Sequence, residues 1–385
     1  MSYRRTAGKS YKPFRRSVGL KAKARTAVLR SSVSSASSVP KNVFETREFQ
    51  SNITDIALFL AKFLSGKNEI AITPQQYYSG FACRIEKIGN REYYNIIVPR
   101  WDKYNLPLDP KSKYRICRSS IWHEACHARY TPEKVYSIGA NKNGTAVDDP
   151  LIHDVANIIE DRRIEDLGTK MWPGYKAERL FSNGYFWSQR MDVGEFYKTY
   201  LEKYYDPQKG TFDLSGIDPQ QRQAAEKWLK QRLSYMRHEA ILQRIITGKI
   251  KGAEDLPLEE RQRIEDVAAY VEDELKKITK EDVDEDKVYR TIKDLTEKVI
   301  QDLQLQYYKP PIVLVGQSSW DVTFTADWAE DYGTDDRQKV RAGIDDYFDE
   351  IVKVEYICTH CGKPYTKVYG HRHKPGKKSS PPPGY

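Results

Sequence analysis

Cysteine is scarce in this chain, with five residues in 385. That is too few, and too scattered, for a disulfide framework. Two of them, Cys358 and Cys361, stand three apart near a histidine pair, a spacing that reads as metal chemistry in a reducing compartment; the expected location is cytoplasmic. No apolar run approaches the ~18–20 residues of a helical membrane span, so no membrane span is expected. The first 30 residues contain no acid and no apolar block, so a secretory leader is not expected, although an acid-free segment of this kind shares its composition with organelle transit peptides. No internal repeat is present.

Charge is unevenly placed. The formal net charge is +9. Arg4, Arg5, Lys9, Lys12, Arg15, Arg16, Lys21, Lys23, Arg25 and Arg30 crowd one end, and Lys363, Lys367, Arg372, Lys374, Lys377 and Lys378 the other, so the body between is acidic. Basic ends of this kind meet nucleic acid, anionic lipid or an acidic partner, or serve only solubility. Residues 1–40 therefore read as a basic, Ser-rich disordered arm ending in the linker 31–40.

The body, 41–350, begins with apolar residues at helical spacing from Phe49 to Leu64, with Gly66 as the stop. Residues 69–73 and 81–98 read as strands, with a turn at Gly89-Asn90. Helices are expected over about 112–168, the second stopping before Gly168, and again over 192–308 with breaks at 206–218 and near Pro257. Between them 172–188 is aromatic and turn-rich. Pro310-Pro311 opens a short apolar strand, and 351–385 forms a small module with a Pro-rich basic tail.

Residues 122–127 read Trp-His-Glu-Ala-Cys-His. On a helix His123 and His127 leave one face about 6 Å apart, a separation that suits two nitrogen ligands of zinc. Glu124 lies about 100° round the helix, placed to act on a metal-bound water as general base. Thirty residues on, His153, Asn157, Glu160 and Ile164 fall on one stripe of a second helix. A polar stripe beside Val155, Ile158 and Ile159 is costly to bury unless it binds something. Glu160 is the expected third ligand, leaving a fourth position open, in the manner of gluzincin metallopeptidases.

His123-Glu124-x-x-His127 followed by Asn157, Glu160, Asp161, Arg163 and Glu165 resembles the metallopeptidase-like segment of CobT-type cobaltochelatase subunits and related proteins that accompany MoxR-type ATPases. The resemblance covers roughly 115–175. It implies Glu160 as a metal ligand and a MoxR-type ATPase as a partner. Two features depart from the pattern. The von Willebrand A domain of those relatives has no counterpart beyond Asp321-Val-Thr-Phe-Thr325, which lacks the motif's serines. Ile164 stands where thermolysin-like gluzincins carry an Asp. His153, Asn157, Asp161, Arg163 and Glu165 are candidates for holding the ligands from behind. Asp161 and Glu165 are both suited to orient a histidine, and the sequence does not choose between them. His153 also reads as an oxyanion stabiliser, a ligand or an ordinary helix-start residue. Cys126 reads as a small buried thiol or a group close to the metal.

Cys358-x-x-Cys361-Gly362 has the form of a zinc knuckle, and His371 and His373 complete a Cys2His2 set expected to hold a structural zinc. Together these readings give an α+β, mostly helical, zincin-like metallopeptidase core with a small C-terminal zinc knuckle. Its expected cofactors are one catalytic and one structural zinc, and its expected substrate is protein or peptide. The rival is a non-catalytic, metal-stapled scaffold that binds nucleic acid or an assembly partner through 1–30 and 363–385. Metal analysis of the purified chain is expected to find about two zinc ions. Cys358→Ala should lose one of them while His127→Ala loses the other; a variant that empties both sites contradicts two independent centres.

Overall fold

The apolar stripe that opens the body forms helix α1, Arg47–Ser65, in the computed structural model. Ala57, Ala61 and Leu64 are its buried face. Gly66 ends it at φ +68°, a left-handed conformation that glycine adopts without strain, and its N–H donates to the Lys62 carbonyl. The described residues are 47–75, 81–88, 91–100, 106–140 and 148–306, with Tyr347, 356–357 and 364–365. The basic arm 1–40, the apolar stretch after Pro311, and Cys358, Cys361, His371 and His373 lie outside them.

Three strands follow α1: β1, Ile70–Gln75; β2, Ala82–Ile88; and β3, Arg91–Pro99. The order is β1-β3-β2. β2 and β3 are antiparallel with Ile88 opposite Arg91, as a hairpin requires, while β1 runs parallel to β3 with Ile70 opposite Tyr94. Ile96 and Ile97 on the central strand are wholly buried.

Helix α2, Pro110–Tyr130, starts where Asp109 accepts hydrogen bonds from the Lys111 and Ser112 amides, with proline at the first helical position. Every residue from Ile121 to Ala128 is buried. Helix α3, Pro150–Met171, starts in the same way on Asp149, whose side chain accepts from the Ile152 amide. It packs against α2 and against three later helices: α6, Arg222–Thr247; α7, Leu258–Ile278; and α8, Glu285–Asp302. A helix surrounded in this way buries polar as well as apolar residues, and in α3 these include His153, Asp154, Glu160, Asp161, Arg163 and Glu165.

Two corrections concern this region. The helix does not stop before Gly168. And 172–188, read as turn-rich, is largely helix α4, Lys176–Gln189, whose Phe181, Tyr185 and Trp187 are buried in the core that it shares with α2. Helix α5, Val193–Tyr200, and the short antiparallel pair β4, Tyr205–Asp206, and β5, Thr211–Phe212, complete the connection to α6. Near the C-terminus β6, Tyr356–Ile357, pairs antiparallel with β7, Pro364–Tyr365. The fold is thus mostly helical with a small mixed sheet.

Two apolar cores result. One gathers α1, the sheet, α2, α4 and Tyr347; the other gathers most of α3 with α5 to α8. A fully buried Ile, Leu or Phe contributes roughly 1.5–3 kcal/mol, so these cores drive folding. The second is pinned by a buried ion pair. Arg237 grips Glu260 with Nε and Nη2 at 2.8 and 2.7 Å, and donates onward to Tyr205 and to the Leu303 carbonyl. The polar residues of α2 and α3 meet on the seam between the cores.

Gly168 sets how closely that seam shuts. A Cβ there would stand 2.4 Å from Cys126 Sγ and 2.8 Å from Trp122 Cζ2. Gly168→Ala gains about 1 kcal/mol of helix propensity but forces the helices apart. Overpacking of this kind costs about 1–3 kcal/mol, so a lower urea midpoint is expected despite the better helix former. An unchanged midpoint would show that the seam has slack.

Candidate metal centre

α2 presents His123 and His127 one turn apart, with ring centroids 4.8 Å apart and planes at 81°. α3 brings Asp161 to them. Its Oδ1 lies 3.0 Å from His127 Nε2 and 3.5 Å from His123 Nε2. All three residues are buried. Ligand bonds of about 2.0–2.2 Å place donors on a tetrahedral ion roughly 3.3 Å apart, so both distances match an edge of that tetrahedron. The donor atoms of the trio all lie within 4.8 Å of one another, and the group is able to hold a metal ion.

The hydrogen bonds behind the rings fix which nitrogen is offered. His123 Nδ1 lies 3.0 Å from Glu165 Oε1, and a carboxylate only accepts, so Nδ1 carries the proton. His127 Nδ1 lies 3.0 Å from Thr131 Oγ1, whose own proton goes to Glu160 Oε1 at 2.7 Å; Thr131 therefore accepts, and this Nδ1 donates too. Both Nε2 atoms then turn their lone pairs toward Asp161 Oδ1. Three acceptors meeting out of water repel unless a cation, or extra protons, lies among them. Burial works against charge on His123, but the carboxylates of Asp161, Glu165 and Glu124 outweigh it and push the imidazole well above its usual value. Burial likewise works to raise Asp161, and the two histidines hold it well below the usual carboxylate range.

Each histidine is braced by a carboxylate and an arginine. Behind His123, Glu165 Oε2 pairs with Arg179 Nε at 2.6 Å, and Arg179 Nη1 also meets Asp166 at 2.8 Å. Behind His127, Thr131 leads to Glu160, which Arg163 grips with Nε and Nη2 at 2.7 and 2.6 Å while donating to the Tyr130 carbonyl. Such outer partners set ring orientation and ligand basicity.

The structure thus corrects the expected placement of the acids. Glu160 does not join the histidines; Arg163 and Thr131 engage it, and its neighbour Asp161 occupies the position beside them. One residue along a helix is a turn of about 100°, enough to exchange the two roles. Arg163 falls at i+3 from Glu160, which is the sequence signal that could have found this. Glu165 is the acid that orients His123. Arg179 and Thr131 were not anticipated. Cys126 packs against Gly168 and is not among the gathered donors; burial pushes its thiol up.

Glu124 is almost wholly buried and, with His123, lines a cleft of about 420 Å³, part of it open to solvent. Phe81, just before β2, and Phe186 form apolar walls, while Ser119 and Asn183 add polar ones. A second space of about 310 Å³, open solvent included, lies against His127, with Asn157 and His153 in its wall.

Comparison of the chain with protein-family models, with curated proteins and with solved structures finds no match. The likeness to the CobT-type segment is therefore carried by the motif residues alone.

Removing a ligand and removing a brace should differ in size. Asp161→Asn is expected to abolish tight zinc binding, whereas Glu165→Gln, which removes a brace, should weaken it about 10–100-fold. Glu160→Gln should fall in the same lower range, because Glu160 acts through Thr131. Competition against a chromogenic chelator measures all three. Loss on Glu160→Gln with retention on Asp161→Asn would restore Glu160 as the ligand.

Proposed function

We propose that this protein is a zinc-dependent hydrolase acting on peptide bonds, with His123, His127 and Asp161 as ligands and Glu124 as the base. The observation that carries it is the pair of fixed tautomers: both Nδ1 atoms are committed elsewhere and both Nε2 atoms face Asp161, beside a cleft that also contains Glu124. Two nitrogens and one carboxylate oxygen suit zinc and leave a fourth position for chemistry. A divalent cation held there supplies Lewis-acid polarisation to a carbonyl and a water. Glu124 then takes the proton of the attacking water and delivers it to the leaving amine.

The sheet supports a peptide as substrate. β2 is an edge of the three strands, and the residue before it, Phe81, lines the cleft. An extended chain added to that edge would have one end beside the cleft, where Phe81 stands. The second metal set, Cys358, Cys361, His371 and His373, is read as a closed structural zinc site. The antiparallel pairing of β6 with β7, whose six-residue connection carries both cysteines, supports it. In this reading the basic ends recruit nucleic acid or an acidic partner, a MoxR-type ATPase among the candidates, and the protein works in the cytoplasm.

The scaffold reading draws on the burial of all three ligands, which would suit a structural staple. Glu124→Gln separates the two. It keeps the volume and the ligands but removes the base. In a hydrolase, zinc content and thermal stability should hold while turnover falls by about 10²-fold or more. Cleavage within the linker 31–40 and a panel of denatured proteins provide the assay. A fully zinc-loaded chain that is inert both as wild type and as Glu124→Gln would leave the scaffold.

A further inference from the structure

Helix α1 turns Ala57, Ala61 and Leu64 into the molecule and leaves its other face bare. Phe59 on that face is 73% exposed, the most of any large apolar side chain among the described residues, and Phe63 is 57% exposed. Their rings stack with centroids 6.5 Å apart and planes at 8°. Trp172, just after α3, lies 5.0 Å from Phe63 and extends the patch. Single exposed apolar residues are ordinary, but a contiguous aromatic group marks a contact surface.

The charges beside it say what the contact is. Asp55 and Lys62 are exposed on the same face, and Ile56 is half-buried at its margin. At about 100° per residue, with Phe59 as the centre line, Asp55 and Lys62 stand about 40° and 60° to one side, and Phe63 and Ile56 about 40° and 60° to the other. Asp55 and Lys62 are seven residues apart, about 10 Å along the axis, too far to pair with each other. Among the described residues neither has an ion-pair partner.

This pattern is complementary to itself. A two-fold axis at the level of Phe59 lays a second α1 antiparallel on the first and keeps each flank on its own side. Phe59 then meets Phe59 of the second copy. Phe63 and Ile56 lie four and three residues from the axis in opposite directions, so each meets the other across it. Asp55 and Lys62 stand in the same relation on the opposite flank, and their charges pair twice. A parallel alignment would set Asp55 against Asp55 and Lys62 against Lys62, which like charges oppose. An anionic lipid surface would likewise be opposed by Asp55, which the second copy satisfies.

We infer that the exposed face of α1 is a two-fold interface between two copies of this chain, with Phe59 at its centre and reciprocal Asp55–Lys62 pairs along one flank. It is independent of the metal centre. Aromatic side chains of roughly 150–250 Å² each, already partly covered, keep the apolar contact below the roughly 1,200–2,000 Å² of a standard interface. The dimer is therefore weak, dissociating at micromolar concentrations.

Sedimentation velocity of the full chain from about 1 μM to about 200 μM should show monomer converting to dimer. Phe59→Asp sets two acids on the axis and should leave a monomer throughout; because Phe59 is exposed, far-UV circular dichroism and Tm should hold. Asp55→Lys or Lys62→Asp alone opposes like charges twice and should raise the dissociation constant about fivefold or more. The double variant Asp55→Lys/Lys62→Asp exchanges the partners and should return it to within a factor of about two of the wild type. A wild type that is monomeric at the highest concentration, a dimer that survives Phe59→Asp, or a double variant no tighter than the single reversals overturns the interface. Binding of a monomeric chain to phosphatidylserine vesicles, abolished by Phe59→Asp, would overturn it too and give the face to a membrane surface.

Discussion

One carboxylate oxygen facing two imidazole nitrogens organises the middle of this molecule. Asp161 Oδ1 and the Nε2 atoms of His123 and His127 can share a buried point only if α2 and α3 lie very close, and Gly168 against Trp122 and Cys126 is what lets them. The apolar cores on either side fix the helices and keep most of the seam away from water. Burying ionised groups is favourable only when each has partners of good geometry, and every group behind the histidines meets that condition through an arginine.

The local charge balance carries the argument further. Four carboxylates surround the histidines: Glu124, Glu160, Asp161 and Glu165. Two arginines, Arg163 and Arg179, answer two of them, and Asp166 is shared between Arg179 and Arg162. A divalent cation at the His123, His127 and Asp161 donor atoms would add positive charge where these carboxylates gather. The carboxylates of Asp161, Glu165 and Glu124 are also what push the His123 imidazole upward against its burial. Metal and protons therefore compete for one place, and metal uptake should release protons.

Much of this was legible in the residues. The histidine pair and its glutamate follow from helical spacing alone; their helix, α2, starts two residues earlier than expected, at Pro110, where Asp109 caps it. The choice between Glu160 and Asp161 did not follow. Stripe counting assumes one face turned inward, but α3 is buried on nearly every side, so its polar residues point to different neighbours and periodicity loses its meaning. Gly168 misled for a related reason: a glycine late in a helical pattern reads as a stop, whereas here it serves an approach between helices. The parallel pairing of β1 with β3 and the reach of Arg179 to Glu165 are contacts across the chain, which no local pattern encodes.

Access to the metal position is the remaining step. A structural staple closes its shell with a fourth protein donor, whereas a working centre keeps that position open. Among the described residues the compact donor group stops at three. Glu124, the next carboxylate along α2, is instead part of the cleft wall beside His123. The spaces on the two sides of the histidine pair differ in kind. One has aromatic walls and the base, and it adjoins the edge of the sheet; the other is smaller and ends at His153. An open fourth position beside a carboxylate is what the proposed hydrolase would use, and a structural staple would have no use for it.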